Sequence, residues 1–336
     1  MSHVIARGNK ASMVGRKQSR SRTILVTGAA GFVGRYLMPA LAAAFPNDRI
    51  VGTSHQGDAG LMPLDVTQPD AVRALIAAEA PEICFHLAGI AALGDVLADP
   101  GQAWCVNLHG SLHLAEAILA EAPHCRLIFV SSAEAYGASF GAGMPVDETA
   151  PLAPMNLYAA TKAATDLALG AQVGEGLRLL RLRPFNHTGP SQDERFVVPA
   201  FAGQIARIEA GLIAPELFVG RLTPERDFLD IRDICDAYVC CAARDDDLPD
   251  NEIFNLASGR AVRIGDLLEQ MLALSQTKIT VRQESSRLRA MEIQKVVGDA
   301  SKARKLLGWQ ARIKIEETVE TVLRAARQKL RKTTTF

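Results

Sequence analysis

The 336-residue chain has no excess charge of either sign, because thirty-seven lysines and arginines balance thirty-seven aspartates and glutamates. That balance excludes the basic surplus expected of a protein that neutralises nucleic-acid phosphates or docks on an anionic membrane. No apolar run approaches the roughly 20 residues that span a bilayer, so no membrane span is expected. The six cysteines (Cys84, Cys105, Cys125, Cys235, Cys240 and Cys241) contain no C-x-x-C pair and sit mostly in apolar surroundings. They read as buried thiols in a reducing, cytoplasmic setting, and no metal site or disulfide frame is expected. The first 22 residues carry six Lys or Arg, no acid and no apolar stretch of the kind a secretory signal has. They are expected to be a disordered extension.

With 48% hydrophobic and 22% charged residues, the rest of the chain can bury a sizeable core. "TILVTG" predicts a strand, and "AAGFVGRYLMPALAAA" a helix after a glycine turn. "RIVGTS", "EICFHLAG" and "RLIFVSS" read as further strands, alternating with helices over "PDAVRALIAAEA" and "QAWCVNLHGSLHLAEAILAEA". A second long helix starts near Asn156, and "LRLLRLR" is the next strand. This rhythm predicts an α/β protein with a doubly wound parallel sheet. Beyond Pro184 the alternation loosens, and a smaller α/β substrate domain interleaved with the first is expected. The dinucleotide-binding part is assigned to 23–186 plus about 224–258, and the substrate domain to about 187–223 plus 259–330.

Three groups of residues carry chemistry. "TGAAGFVG" places Gly28, Gly31 and Gly34 between a strand and a helix. There glycine permits a tight turn, a close approach to a pyrophosphate and close helix packing, and the helix N-terminus favours phosphate. Phe32, Val33 and Arg35 open that helix. Next, Ser131 and Ser132 end a strand at the carboxyl edge of the sheet, where ligands bind. Finally "YAATK" sets Tyr158 and Lys162 on one face of a helix. An ammonium and a nicotinamide cation nearby would lower the phenol pKa and make Tyr158 a usable acid or base. A carboxylate ending the second strand would bind the ribose 2′-OH of NAD, and Gly52 to His55 supply none. NADP(H) is therefore favoured and NAD(H) possible, with Arg35 either a partner for the 2′-phosphate or a solvated helix residue. Asp65 and Val66 are placed where a loop could reach the adenine.

Glycine turn, strand-end serine and Tyr-x-x-x-Lys, in that order, resemble the extended short-chain dehydrogenase/reductases that act on nucleotide sugars, from about Thr23 to Leu330. The resemblance implies a catalytic set of Ser132, Tyr158 and Lys162, with Leu87, Ala88 and Gly89 lining the cofactor. It implies that "RPFNHTGP" crosses the nicotinamide, with Pro184 and Phe185 facing the cofactor and Asn186 bonding the sugar nucleotide. "RPFNHTGPSQ", "RFVVPAF" and "RDFLDIRDICDAY" are most similar to the GDP-4-dehydro-6-deoxy-mannose reductases, with the GDP-mannose 4,6-dehydratases close behind. On that likeness Phe196, Val197, Arg221, Arg226, Arg289 and Glu292 bind the GDP-sugar. Arg221 stands where asparagine is common and Ser191 where glycine is. Glu134 occupies the position of the dehydratases' proton-abstracting base, a residue some reductases also carry.

The activity implied is NAD(P)H-dependent reduction of the C4 ketone of GDP-4-dehydro-6-deoxy-D-mannose to GDP-D-rhamnose or its 4-epimer. A 4,6-dehydratase or another nucleotide-sugar epimerase is the alternative, and a cofactor-sensing regulator a third reading. Because the helices containing Leu114 and Leu167 are apolar on more than one face, a homodimer is expected, and a charge at either leucine should weaken it if that leucine faces outward.

Overall fold

The computed structural model describes residues 21–58, 60–285 and 293–333. Its first part runs β1 (Thr23–Thr27), α1 (Phe32–Ala44), β2 (Arg49–Ser54), β3 (Met62–Pro63), α2 (Pro69–Glu79), β4 (Ile83–His86), α3 (Leu93–Ala98), α4 (Pro100–Trp104), α5 (Gly110–Glu121), β5 (Arg126–Val130), α6 (Leu157–Gln172) and β6 (Arg178–Pro184). The second comprises β7 (Asn186–Thr188), α7 (Val197–Glu209), β8 (Glu216–Val219), β9 (Glu225–Asp230), α8 (Ile231–Ala243), β10 (Glu252–Leu256), β11 (Ala261–Arg263), α9 (Ile264–Ala273), β12 (Thr280–Gln283), β13 (Lys295–Val296), α10 (Ser301–Leu307) and α11 (Ile315–Thr333). Among the described residues, no helix is long and apolar enough to cross a membrane.

Seven strands form a parallel sheet in the order β10-β6-β5-β4-β1-β2-β3. Its inner strands β1, β4 and β5 are largely apolar because both faces are covered. Ile24, Val26, Phe85 and Ile128 pack under α1 and α8, whereas Leu25, Cys84, Leu127 and Phe129 pack under α2, α5 and α6. The chain goes outward from β1 to β3 on one side, then returns to build β4, β5 and β6 on the other. That reversal leaves a crevice at the carboxyl ends of β1 and β4, the place where open α/β sheets bind ligands.

A second core gathers α7, α9 and α11 against β8 and β9. There β9 pairs with β7, β11 and β13, so residues 225–230, placed on the sequence with the dinucleotide-binding part, belong to the small sheet.

Three expectations change, and one helix gains a detail. Asn186–Thr188, for which the residue pattern predicts no element, is a strand paired with Phe228–Asp230. The long helix expected over "QAWCVNLHG…" forms without a break, with a π turn at Cys105–His109 joining α4 to α5. Arg22, assigned to the extension, is tied to Asp48 through its guanidinium at 2.7 Å. Leu114 does not face outward: it is 0% exposed on the inner face of α5, with Ala115 and Ile118 against the sheet. Leu167 on α6 is 61% exposed, as expected.

Candidate active site

A cleft of about 1740 Å³ opens over the carboxyl edge of the large sheet and extends between the two cores. That exceeds the roughly 300–1,000 Å³ of a site for one drug-sized molecule, so there is room for a dinucleotide beside a second ligand.

The glycine turn forms one end. Gly28 has a φ of 69°, and a Cβ on it would lie 2.7 Å from the Ala88 nitrogen, so the turn admits no other residue without moving β4's exit. A Cβ on Gly34 would meet the Ala29 carbonyl oxygen at 2.5 Å, which lets α1 start hard against the turn. Gly31 caps α1 without any side-chain hydrogen bond, and the first turn carries no acid. Its N–H groups are therefore open to an anion. Arg35 stands exposed at the rim, its Nε donating to the Ala30 carbonyl at 2.8 Å.

The other end holds the acid–base residues. Lys162 Nζ donates to the Val130 carbonyl at 2.8 Å and lies 5.0 Å from the centre of the Phe129 ring. Burial lowers its pKa to about 8, and the Asp166 carboxylate one turn on opposes that fall. Tyr158 shifts in the opposite direction from Lys162 in the chain without cofactor. Burial raises its pKa above the usual phenol value, Glu134 raises it further, and interaction with the Ser132 hydroxyl acts the other way. Loss of hydration is the leading cause. Ser132 Oγ accepts the Glu134 N–H at 3.1 Å, which leaves the serine proton free to be donated.

Most of the residues singled out in the sequence meet here. Phe32, Val33, Leu87, Gly89, Ser132, Glu134, Tyr158, Lys162, Pro184, Phe185, Asn186, Phe196 and Arg226 line the cleft together with the glycine turn and Arg35. Asp65, Val66, Ala88, Val197 and Arg221 do not. The Asp65 carboxylate is turned into its own loop, accepting from Thr67 N at 2.9 Å and Thr67 Oγ1 at 2.7 Å, and Val66 packs beneath α5. Val197 packs against the second core instead. Arg289 and Glu292 lie outside the described residues. Among the described residues, no group of His, Cys, Asp and Glu is placed to hold a metal ion.

Two further residues enter the site. Ser131 is 2% exposed, lines the cleft, and its Oγ has no hydrogen-bond partner in the protein. Buried hydroxyls are rarely left so, which fits a bound ligand supplying the partner. His187 stacks on Phe32 with ring centres 6.3 Å apart, and its Nδ1 meets the Phe185 carbonyl at 3.0 Å. The Asn-His pair thus pins the start of the small sheet to the glycine turn. The signal in the sequence was the polar triplet directly after a buried strand.

With this geometry in view, likeness to known proteins is informative. The family described as GDP-mannose 4,6 dehydratase matches residues 25–322. A GDP-6-deoxy-D-mannose reductase from Pseudomonas aeruginosa is 33% identical over 304 residues, covering 90% of this chain and 96% of that protein. A UDP-glucose 4-epimerase from Corynebacterium glutamicum is 26% identical, with coverages of 85% and 90%. Among solved structures, RMD from Pseudomonas aeruginosa complexed with NADPH superposes with a TM-score of 0.82 at 31% identity, covering 92% of this chain and 100% of that one. The parallel sheet with its glycine turn, the Ser132, Tyr158 and Lys162 grouping, and a family match running from β1 into α11 agree: the chain belongs to the GDP-mannose 4,6-dehydratase family of NAD(P)-dependent, nucleotide-sugar-modifying enzymes.

Proposed function

We propose that the protein reduces the C4 ketone of GDP-4-dehydro-6-deoxy-D-mannose, giving GDP-D-rhamnose or its 4-epimer. The observation that carries this reading is the grouping on one wall of the cleft of Ser132, Tyr158 and, one helical turn from the phenol, Lys162, with a hydroxyl, a phenol and an ammonium converging on one space. The likeness to the Pseudomonas GDP-6-deoxy-D-mannose reductase supports the substrate class.

The cofactor, when bound, supplies the hydride to C4. Residues of the chain do the rest. Ser132 donates its hydroxyl proton to the ketone oxygen, stabilising charge as it develops there. Tyr158 delivers the phenolic proton to the same oxygen. Lys162, held by the Val130 carbonyl, keeps a positive charge beside them at neutral pH. The open N-terminus of α1 and the unpartnered Ser131 hydroxyl suit a dinucleotide in this cleft. NADP(H) is favoured because β2 ends without an acid and Arg35 stands at the rim, and the NADPH-bound RMD structure agrees. Asn186, Phe196 and Arg226 are assigned to the GDP-sugar, with Arg289 and Glu292 completing its diphosphate and ribose contacts. Arg221, exposed and away from the cleft, is assigned no substrate contact.

A second reading is favoured by Glu134, whose carboxylate lines the cleft where a dehydratase would need a base. The two are separated by incubating the protein with GDP-mannose alone, and with the 4-keto-6-deoxy sugar nucleotide plus NADPH. The reductase consumes NADPH with the second and leaves the first untouched. Conversion of GDP-mannose without added reductant would overturn the assignment.

The working form is proposed to be a homodimer joined through α5 and α6, on the strength of the exposed Leu167. Six free cysteines suit the reducing cytoplasm.

A further inference from the structure

Asn156 lies between the two halves of the acid–base group. It is the N-cap of α6, two residues ahead of Tyr158, and it lines the cleft. Its Oδ1 accepts the Ala159 N–H at 2.8 Å. With the amide oxygen committed to a backbone donor, the amide nitrogen can act only as a donor elsewhere. It reaches Glu134 Oε2 at 2.9 Å. Glu134 is held from its other end too, since its N–H donates to Ser132 Oγ at 3.1 Å. A chain of contacts therefore runs from Ser132 through Glu134 and Asn156 to the helix that carries Tyr158. Aspartate caps a helix as well but brings no donor, and the hydroxyl of serine or threonine, one bond shorter than the amide, caps the helix without the reach to Glu134 that the Asn156 Nδ2 has.

We propose that Asn156 is a positioning residue: its side-chain amide fixes the Glu134 carboxylate in the cleft and locks it to the first turn of the catalytic helix. The inference rests on the reductase reading of the same cleft. Its chemical consequence concerns the proton donor. A carboxylate held beside Tyr158 opposes formation of a phenolate, so fixing that carboxylate helps keep the phenol as an acid. Released from Asn156, Glu134 is free to swing away from the phenol or into the space of the sugar.

The test compares Asn156→Ser, Asn156→Asp, Glu134→Gln and the double variant Asn156→Ser/Glu134→Gln. Steady-state kinetics are measured with GDP-4-dehydro-6-deoxy-D-mannose and NADPH, and stability by thermal unfolding. Asn156→Ser keeps a good cap and removes the amide that reaches Glu134, so unfolding should be unchanged while kcat falls about tenfold or more, the usual weight of a hydrogen bond to a charged group. The KM for NADPH should stay within about twofold, as expected of a residue that touches only Glu134 and its own helix. Asn156→Asp sets a second carboxylate against Glu134 and should lower kcat at least as far. In the Glu134→Gln background, Asn156→Ser should cost nothing further, since the two act as one unit. If Asn156→Ser proves unstable, Asn156→Thr carries the same comparison. A wild-type kcat in Asn156→Ser, or the same loss with and without Glu134, overturns the inference while leaving the reductase reading intact. A wild-type protein that fails to reduce this substrate overturns both.

Discussion

Tyr158 and Lys162 meet the same cleft wall and respond in opposite directions, because burial disfavours whichever form is charged. The phenol is raised and the ammonium lowered to about 8. Reduction needs the phenol with its proton and the lysine with its charge, so the lysine is the group lost first as pH rises. We predict that kcat/KM falls as pH climbs through about 8, where the ammonium deprotonates, and a profile flat to pH 10 would contradict this. Tyr158→Phe should cut turnover about 10²- to 10⁴-fold with cofactor binding nearly intact, as a fluorescence titration of NADPH can check. A loss below tenfold, with chemistry rate-limiting, would mean another group protonates the oxygen. For the cofactor, Arg35→Ser should weaken NADPH by roughly 10-fold or more and leave NADH unchanged, since a charge-assisted bond to phosphate is worth about 1.5–3 kcal/mol. Equal effects on both would remove Arg35 from the 2′-phosphate. Thr53 looks from the sequence like the place to install an acid for NADH. It is 1% exposed, and its carbonyl accepts the Ala29 N–H at 2.8 Å, so a carboxylate there would be buried within the sheet.

At the scale of elements, α6 is anchored by charge. Asp166 is fully buried, and its carboxylate accepts from Arg181 NH1 at 3.0 Å and from Arg183 NH2 at 2.8 Å, both on β6. Arg183 NH1 also donates to Tyr136 Oη at 3.0 Å, on the segment that follows Ser132 and Glu134. The network ties helix, β6 and serine segment into one body. Asp166→Asn should destabilise the fold by about 3–5 kcal/mol in urea unfolding, because it leaves two buried guanidinium groups under-compensated. It should also move the alkaline fall in kcat/KM to lower pH, since Asp166 opposes the lowering of Lys162. Unchanged stability and an unchanged profile would mean that the network is decorative. The strand "LRLLRLR" announces this element as an apolar run, and its arginines read there as interruptions. Their partner lies on α6, which no local pattern reveals. The small sheet was harder to read for a related reason: β9 has the sequence ERDFLD, and β7, β11 and β13 have three residues or fewer. Such strands are set by pairing across long sequence separations, not by periodicity. The large sheet was legible because β1, β4 and β5 are largely apolar runs between turn residues.

At the scale of the whole molecule, the cleft exists because the chain leaves the large sheet at Pro184 and starts the small one at Asn186. Both lobes therefore contribute to one site, and the order of motifs in the sequence foretold which residues would meet there. What it could not tell was orientation. Leu114 and Leu167 lie on adjacent helices with similar composition, yet one is sealed in the core and the other faces outward. Leu167→Glu should therefore shift a dimer towards monomer in sedimentation velocity without loss of fold, whereas Leu114→Glu should fail to fold. A wild-type monomer at micromolar concentration would end the proposal of a dimer. The central claim is hydride delivery to C4 with Tyr158 as the proton donor. Its most direct test is to react the protein with GDP-4-dehydro-6-deoxy-D-mannose and NADPH deuterated at the transferring position, then locate the label in the product. The account predicts one NADPH consumed per sugar and deuterium on C4 of a GDP-6-deoxyhexose. Unlabelled product, or no oxidation of NADPH while GDP-mannose alone is dehydrated, would contradict it.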